Sequence, residues 1–256
     1  GTLFTAGGGN LRMVLVLVFF CFGGLWGSLD LYWWADLPGI GSVSIANELG
    51  WGPAIGLQLG ALGLIYFVLR QLGGESKRPL WWQGGFSLER LLRGPWPLLF
   101  SAGLLAFLNW ATLLIAGHPW SITWAFTLWG AKAAVALGLD LSVSQFWSGG
   151  FAGGALLHPV LTDVTSVMNI GIVIGAFAAA SLAGKAVPKM NFHWRSLWAA
   201  MIGGMLLGYG ARLAYGCNIG AFFSGVASTS LHSWVWIVFG IMGNVVGVRL
   251  RPLFRL

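Results

Sequence analysis

The chain has 256 residues, of which 57% are hydrophobic and 8% are charged, and its formal net charge is +7. Soluble domains carry about 25% charged residues, so this composition excludes a soluble globular protein and predicts a polytopic protein embedded in the lipid bilayer. The positive charge does not indicate nucleic-acid binding, because Lys and Arg fall in short loops between apolar runs, as topology signals do. The two cysteines argue against a disulfide framework.

Six apolar runs are long enough to span a bilayer, which takes about 17–25 helical residues. In chain order they are 13–29, 53–69, 95–116, 164–182, 197–215 and 231–248. The loops 70–93 and 185–195 and the C-terminal tail are basic, whereas 30–52 and 140–161 contain no Lys or Arg. By the positive-inside rule, the basic stretches and the C-terminus are predicted to be cytoplasmic.

The segment 118–139, HPWSITWAFTLWGAKAAVALGL, differs from an ordinary span. Pro119 lies near its start, Gly130 lies inside it, and Lys132 lies near its middle. The pattern alone is compatible with a re-entrant segment or with a plain span. Strict alternation of the six spans requires the segment to enter and leave on the outer side, so we predict that it is re-entrant.

The stretch 208–230, GYGARLAYGCNIGAFFSGVASTS, joins two apolar runs and is rich in glycine. Irregular backbone at membrane depth is tolerated only where protein or a water-filled cavity surrounds it, because lipid offers no hydrogen-bond partners. We interpret this stretch as the lining of a transport site for a small sulfur-containing anion, with Cys217 at its centre.

A short broken piece followed by a span occurs twice, once at each end of the chain. The matched positions are Gly1 and Gly220, Phe4 and Phe223, Thr5 and Ser224, Leu11 and Leu231, Gly23 and Gly243, and Gly27 and Gly247. Since the two copies are predicted to run in opposite directions, they indicate an inverted repeat, as in many secondary transporters. Gly-Cys-Asn-Ile precedes the second copy and nothing precedes Gly1. We therefore expect 1–256 to be a single membrane transport domain whose first repeat is incomplete.

Three blocks resemble the YeeE/YedE family of sulfur-transport membrane proteins. They are GHPWSITWAFTLWGAK at 117–132, LTDVTSVMNIGIVIGA at 161–176, and GYGARLAYGCNIGAFFSG at 208–225. The resemblance covers nearly the whole chain and implies an all-α, hourglass-shaped protein of the bacterial inner membrane, with inverted halves and short broken helices at the waist. It also implies uptake of thiosulfate past cysteine thiols that hold the anion by transient hydrogen bonds. Of the family cysteines only Cys217 is matched, because Cys21 lies mid-span, where we assign it to packing. A small cytoplasmic sulfur-carrier protein is implied as a partner.

The first group of candidate site residues surrounds Cys217. Gly216 and Gly220 could allow the backbone to approach the anion closely, or serve helix packing. Asn218 and Ser224 could donate hydrogen bonds to the anion's oxygens, or cap the short helix.

The second group consists of polar residues at membrane depth. Arg212 and Lys132 either attract a divalent anion to the pore or extend their charges to the interface. Asn169 either lines the pore or clamps two helices together. Asp163 either pairs with one of the two cations or caps the span that begins at Val164.

The sequence favours a transporter over an enzyme. His118, His158 and His193 are too scattered for a metal cluster, no supported catalytic arrangement is found, and no cofactor is predicted. A phosphate-binding loop of the G-x-x-x-x-G-K-[ST] type is also missing from the sequence, so ATP-driven transport by this chain is not expected. The alternatives are transport of another sulfur or selenium species, a membrane sulfurtransferase that forms a persulfide on Cys217, and a structural subunit of a larger complex.

Overall fold

The computed structural model describes residues 2–73, 79–83, 85, 87–186 and 193–254. The elements of this part of the chain are helices, which confirms the predicted all-α class. They are α1 (Thr2–Gly7), α2 (Leu11–Leu29), α3 (Leu31–Ala35), α4 (Ile45–Leu49), α5 (Trp51–Gln71), α6 (Leu88–Arg93), α7 (Leu98–Ala116), α8 (Thr123–Ala136), α9 (Gly150–Leu157), α10 (Val164–Leu182), α11 (Trp194–Leu213), a π-helical turn (Asn218–Phe223), α12 (Ser224–Ala227) and α13 (Leu231–Leu250). Short 3-10 turns occupy Val160–Thr162 and Arg251–Phe254.

Among the described residues, six helical segments are long and apolar enough to cross a membrane. They are α2, α5, α7, α10, α13 and the segment that begins with α11, so all six predicted spans are confirmed, with bounds within a few residues. Local signals in the sequence fix several of these bounds. The side chain of Asn10 accepts a hydrogen bond from the backbone N–H of Met13 at the start of α2. Gly117, in the left-handed conformation, ends α7.

Small residues let α2 and α11 pack against each other at backbone contact. A Cβ atom at Gly204 would lie 2.5 Å from the carbonyl oxygen of Val16, and one at Gly208 would collide with the carbonyl of Phe20. The contacts advance together along both helices, since Gly23 lies against Met205, and Gly27 lies against Tyr209 one turn further along each helix. The two helices are therefore parallel, and they form the kind of small-residue interface that membrane helices use.

Helix α8 lies across this pair. A Cβ atom at Gly130 would collide with the carbonyl of Cys21, and one at Gly24 would lie 2.7 Å from the hydroxyl of Thr127. Trp147, in the loop after α8, donates a hydrogen bond from its indole to the hydroxyl of Ser28 at 2.9 Å. These contacts fix α8 and the loop that follows it to the C-terminal half of α2.

The helix directions define two faces of the protein. The face where α2 and α11 begin and α10 ends carries Arg12, Lys185 and Arg195, and is called the basic face. The opposite face, where α10 begins and α2 ends, carries Asp163 and Asp30 and is called the acidic face. Four further cations of the predicted basic stretches lie outside the described residues, as does Gly1 of the repeat; they are Lys77, Arg78, Lys189 and Arg255.

The segment between α7 and α10 enters and leaves on the acidic face, as predicted for a re-entrant segment. Ala116 at the end of α7 and Val164 at the start of α10 line the same cavity of about 490 Å³, together with His118, His158 and Asp163. Helix α8 has 14 residues, or about 21 Å at 1.5 Å per residue, which is too short for a hydrocarbon core of about 30 Å.

A short helix, a turn and a long helix occur at both ends of the described chain. The first unit is α1 with α2, and the second is the π-helical turn and α12 with α13. Helix α13 begins where α11 ends, because the Nε2 atom of His232 lies within hydrogen-bonding distance, 2.9 Å, of the carbonyl oxygen of Ala214. Since α11 is parallel to α2, the two units run in opposite directions, as an inverted repeat requires.

The stretches 30–52 and 140–161, predicted as loops, contain helical segments. Helices α3 and α4 lie in the first, and α9 and a 3-10 turn lie in the second. The sequence of α9 is GFAGGALL, and its glycines give it low intrinsic helix propensity. Tertiary contacts, described below for Lys132, therefore account for this helix.

Candidate functional site

The broken segment between α11 and α13 begins and ends at residues with left-handed backbone. Tyr215 has φ 53° and Thr229 has φ 56°, a conformation that is uncommon for residues other than glycine and most unusual for a β-branched residue. Such residues persist where the surrounding structure determines them, and they cluster at ligand sites. The chain in between follows a π-helical turn, which also occurs most often at functional sites.

Contacts with α4 determine the conformation of Thr229. Its hydroxyl accepts a hydrogen bond from the backbone N–H of Ala46 at 3.2 Å, and its carbonyl accepts one from Ile45 at 2.9 Å. Ser44 and Ser230 form an isolated antiparallel bridge beside it. The end of the broken segment is thus attached to the chain that leads into α5.

Glycine is sterically required at position 216 but not at position 220. Gly216 has φ 156°, and a Cβ atom there would lie 2.7 Å from the backbone nitrogen of Ala221. A Cβ atom at Gly220 would stay 3.9 Å from the carbonyl oxygen of Tyr215 and 4.0 Å from the hydroxyl of Ser121. The close approach at Gly216 is therefore to the chain's own backbone, whereas Gly220 faces the re-entrant segment with space to spare.

Cys217 lines a cavity of about 490 Å³ between α2, α11, α13 and the broken segment. Phe20, Ala214 and Trp236 are among the residues around it, and Asn218 lies beside the thiol. Cys217 is half-buried and Asn218 is exposed, and the thiol is free rather than part of a disulfide. The carbonyl of Cys217 accepts a hydrogen bond from Ala221 at 2.7 Å, which fixes the backbone that carries the thiol.

Ser224 connects the broken segment to the re-entrant segment. Its hydroxyl donates to the carbonyl oxygen of Trp120 at 2.9 Å and also lies 3.4 Å from the Oδ1 atom of Asn109. The same Oδ1 atom accepts a hydrogen bond from the backbone N–H of Trp120 at 3.0 Å. These bonds satisfy polar backbone at membrane depth, where lipid could not. Ser224 therefore links the two segments rather than capping the short helix, and its contact with the anion stays a prediction.

The sequence interpretation missed Asn109. It lies on α7 and holds both groups, the backbone of Trp120 and the hydroxyl of Ser224. The signal was available, because Asn109 is the single amide side chain in the largely apolar sequence LLFSAGLLAFLNWATLLIA. A polar side chain within a span usually marks a functional or interhelical contact.

Asn169 clamps α10 to the part of the re-entrant segment that leads into α8. Its side-chain amide donates to the carbonyl oxygen of Ile122, the residue before α8, at 2.9 Å. The side chain is fully buried, and its Oδ1 atom has no hydrogen-bond partner in the part of the chain that the structure describes. Asn169 also lines an apolar cavity of about 320 Å³ with Cys21, separate from the cavity that Cys217 lines.

Lys132 binds the C-terminal end of α9. Its ammonium group donates to the carbonyl oxygens of Leu156 at 2.7 Å and His158 at 2.6 Å, which a helix C-terminus leaves without partners. A cation at this end also complements the helix dipole. Lys132 therefore stabilises the glycine-rich helix α9 and does not line the Cys217 cavity.

Two further charged residues near the acidic face, Arg212 and Asp163, also have local partners. The guanidinium carbon of Arg212 lies 4.5 Å from the centre of the Phe146 ring, a cation–π contact, and Arg212 does not line the Cys217 cavity. Asp163 accepts hydrogen bonds from the backbone N–H of Ser166 at 2.7 Å and from the indole of Trp124 at 2.9 Å. Of the two roles considered for Asp163, the structure shows the helix cap.

The loop beyond α8 keeps a negative charge at the acidic face. Asp140 is fully exposed, and its carboxylate accepts hydrogen bonds from the hydroxyl and the backbone N–H of Ser142. These bonds lower the pKa of the Asp140 carboxyl below its usual value.

The structure thus brings part of the predicted site together. Cys217, Gly216 and Asn218 line one cavity, and Gly220 and Ser224 follow on the same broken segment, facing the re-entrant segment. Arg212, Lys132 and Asn169 lie elsewhere, on contacts that hold the surrounding elements in place.

Comparison with known proteins places these features in a family. A family model described as "Sulphur transport" matches residues 1–246. A protein named "Probable transporter YedE" from Escherichia coli (strain K12) is 35% identical over 164 residues, which cover 63% of this chain and 39% of that protein. Its namesake from Salmonella typhimurium is 32% identical over 167 residues, again 63% of this chain and 39% of that protein. "Thiosulfate transporter TsuA" from Spirochaeta thermophila is 36% identical over 104 residues, 41% of this chain and 31% of that protein. The chain thus spans at most 39% of the length of these relatives, and no solved structure matches it.

Proposed function

Since the chain belongs to the sulphur transport family, we propose that it takes part in the uptake of a small sulfur-containing anion, with thiosulfate as the substrate. The family supports the class of substrate, and the relative named a thiosulfate transporter supports the particular anion. Six apolar helices among the described residues support a multi-pass membrane protein. We further propose that residues 1–256 act as a single transport domain.

The observation that carries this proposal is the position of Cys217. The thiol lies in broken backbone, beside a cavity of about 490 Å³ bounded by three helices. A thiol is a weak hydrogen-bond donor, so it can contact an oxygen or sulfur atom of thiosulfate without holding it strongly. Conduction needs binding that is favourable enough for entry and weak enough for release. Asn218, exposed beside the thiol, supplies two stronger donors in its amide group.

Charge supports an orientation with the basic face in the cytoplasm of a bacterial inner membrane. Arg12, Lys185 and Arg195 lie where α2 and α11 begin and α10 ends, and Arg249 and Arg251 follow at the end of α13. Short basic loops remain on the cytoplasmic side. The C-terminus is then cytoplasmic, and the small sulfur-carrier protein that the family resemblance implies would meet this face.

Replacing the thiol tests the proposal directly. Cys217→Ala and Cys217→Ser, introduced into the full-length protein, are expected to abolish growth on thiosulfate as the sole sulfur source. Cys21→Ser is the matched control, because Cys21 is the other cysteine of the chain and does not line the Cys217 cavity. Normal growth of the Cys217 variants, at normal amounts of protein in the membrane, would rule the proposal out. Competition for uptake by other sulfur and selenium anions defines the substrate range.

We propose transport without chemical conversion, in keeping with relatives that are named transporters. The free thiol of Cys217 also permits the sulfurtransferase alternative. In that reaction the thiolate attacks the outer sulfur of thiosulfate, a persulfide forms on Cys217, and sulfite leaves with the electron pair of the broken S–S bond. Mass spectrometry during active uptake distinguishes the two, because a persulfide adduct and stoichiometric sulfite would contradict simple transport.

A further inference from the structure

Another cavity, of about 410 Å³, opens at the basic face and is lined by two cations. Arg93 at the end of α6 and Lys185 just after α10 contribute the charges. Thr5 on α1 and Asn10 in the turn before α2 add polar groups. None of these residues lines the Cys217 cavity, so this site is separate from the one described above.

Both cations have donors to spare. Arg93 contacts the carboxylate of Glu89 at 3.0 Å, but the two side chains are 65% and 73% exposed, and such surface pairs bind weakly. The contact uses one of the five N–H donors of the guanidinium group. The backbone N–H of Lys185 donates to the carbonyl of Ala180 at 2.8 Å, which fixes where its side chain begins. Within the described ranges, Lys185 forms no ion pair.

The rest of the cavity wall is apolar and faces the lipid. Ala179 and Ala180 on the last turn of α10 and Ala183 just after it line the cavity, together with Phe4, which is 63% exposed. Phe177, which precedes these alanines on α10, is 57% exposed. The cations therefore stand at the end of a membrane-spanning helix, where the polar headgroups of the bilayer lie, and the apolar wall continues toward its core.

We propose that this cavity binds the phosphate group of an anionic phospholipid, whose acyl chains lie along the alanine face of α10. Basic pockets between membrane helices on the cytoplasmic side are suited to anionic headgroups, and the two cations that line this cavity can donate charge-assisted hydrogen bonds to the two non-bridging oxygens of a phosphodiester. Free phosphate shares this chemistry. A lipid bound in this cavity contacts α1, α6 and α10 together. It would therefore stabilise α1, the short helix of the first repeat unit. The proposal does not depend on the identity of the transported anion.

Lipid titration of the detergent-purified full-length protein tests the site. Binding of phosphatidylglycerol, phosphatidylcholine and sodium phosphate is measured separately by thermal shift and by native mass spectrometry. Arg93→Gln and Lys185→Gln are each expected to weaken phosphatidylglycerol binding by about five-fold, and the double variant by about 25-fold, as for loss of one and two cations near a charged surface. Arg195→Gln is the matched control, since Arg195 lies on the same face, over the Trp194 ring, and does not line the cavity.

The outcomes separate the sources of the phosphate group. Loss of phosphatidylglycerol binding in the double variant, with phosphatidylcholine bound weakly by all variants, supports a lipid site. Loss of inorganic phosphate binding alone would assign the cavity to free phosphate and overturn the lipid proposal. Unchanged binding of both probes in the double variant, or equal losses in Arg195→Gln, overturns the proposal. Glu89→Gln removes the competing carboxylate and is expected to bind at least as tightly as wild type, so weaker binding by this variant would also contradict it.

Discussion

The hydroxyl of Ser224 donates a hydrogen bond to the carbonyl oxygen of Trp120 at 2.9 Å, across 104 residues of sequence. This contact joins the broken segment that carries Cys217 to the re-entrant segment before α8. The acceptor is a backbone atom, and the side chain of the donor Ser224 is only 4% exposed. The bond therefore sets the distance between the broken segment and the re-entrant segment.

We expect Ser224→Ala to destabilise the protein by about 1–3 kcal/mol, because it leaves the part-buried carbonyl of Trp120 without its donor. Uptake of thiosulfate should fall as well, since the segment bearing Cys217 loses its tie to the re-entrant segment. Ser228→Ala is the control, because the hydroxyl of Ser228 is on the same segment and bonds only to the carbonyl of Ser224, in its own turn. Thermal unfolding and uptake assays that found the two variants alike would contradict this role.

Asn109→Leu is expected to have a larger effect than Ser224→Ala. It removes the acceptor for the backbone N–H of Trp120 as well as the contact with Ser224, and an unsatisfied buried donor costs about 1–3 kcal/mol. Thr112→Val, on the same helix, is the control, since its hydroxyl bonds only to the carbonyl of Leu108. In a double-mutant cycle, Asn109→Leu and Ser224→Ala should be non-additive. Strict additivity would show that they act independently.

The two glycines beside Cys217 should respond differently to alanine. Gly216→Ala places a Cβ atom 2.7 Å from the backbone of Ala221, and overpacking of this kind costs about 1–3 kcal/mol. Gly220→Ala meets only ordinary contacts and should leave the thermal midpoint unchanged. If thiosulfate approaches the backbone at Gly220, this variant will lose uptake at normal stability, whereas normal uptake would remove Gly220 from the site.

Lys132→Gln separates a structural role from a role in anion attraction. The variant loses two charge-assisted hydrogen bonds to the end of α9, so we expect a stability loss of about 1–3 kcal/mol. The KM for thiosulfate should stay the same in the protein that remains folded. A raised KM with an unchanged thermal midpoint would return Lys132 to the anion path.

The spans and breaks of this protein follow from local sequence, whereas the partners of its polar groups do not. Length and apolarity of a run are sufficient to locate a membrane helix such as α10, and the glycines around Cys217 indicate broken backbone. The wall of the Cys217 cavity includes Phe20 from α2 and Trp236 from α13, which no local pattern connects.

For Lys132, too, the sequence predicts that the charge needs a partner but does not predict which groups supply it. A cation in an apolar segment must find a partner or reach water, and that much the sequence predicts. Its partners are two carbonyls at the C-terminal end of α9, a helix that its glycine-rich sequence does not predict. The same holds for Asn109, because the composition of α7 marks it as polar while only the fold shows that it holds Trp120 and Ser224.

The glycine contacts between α2 and α11 also restrict how the protein can move. Where a carbonyl of one helix occupies the space of a missing side chain on the other, sliding or rolling would drive backbone into backbone, and packed interfaces of this kind shift in discrete steps or not at all. Spin labels on the exposed residues Val18 and Leu206 should therefore keep one separation with and without thiosulfate, and a change in it would refute this expectation. Helices α2 and α11 then stay fixed relative to each other. We expect any movement that opens the path past Cys217 to occur in the short chain between Tyr215 and Thr229.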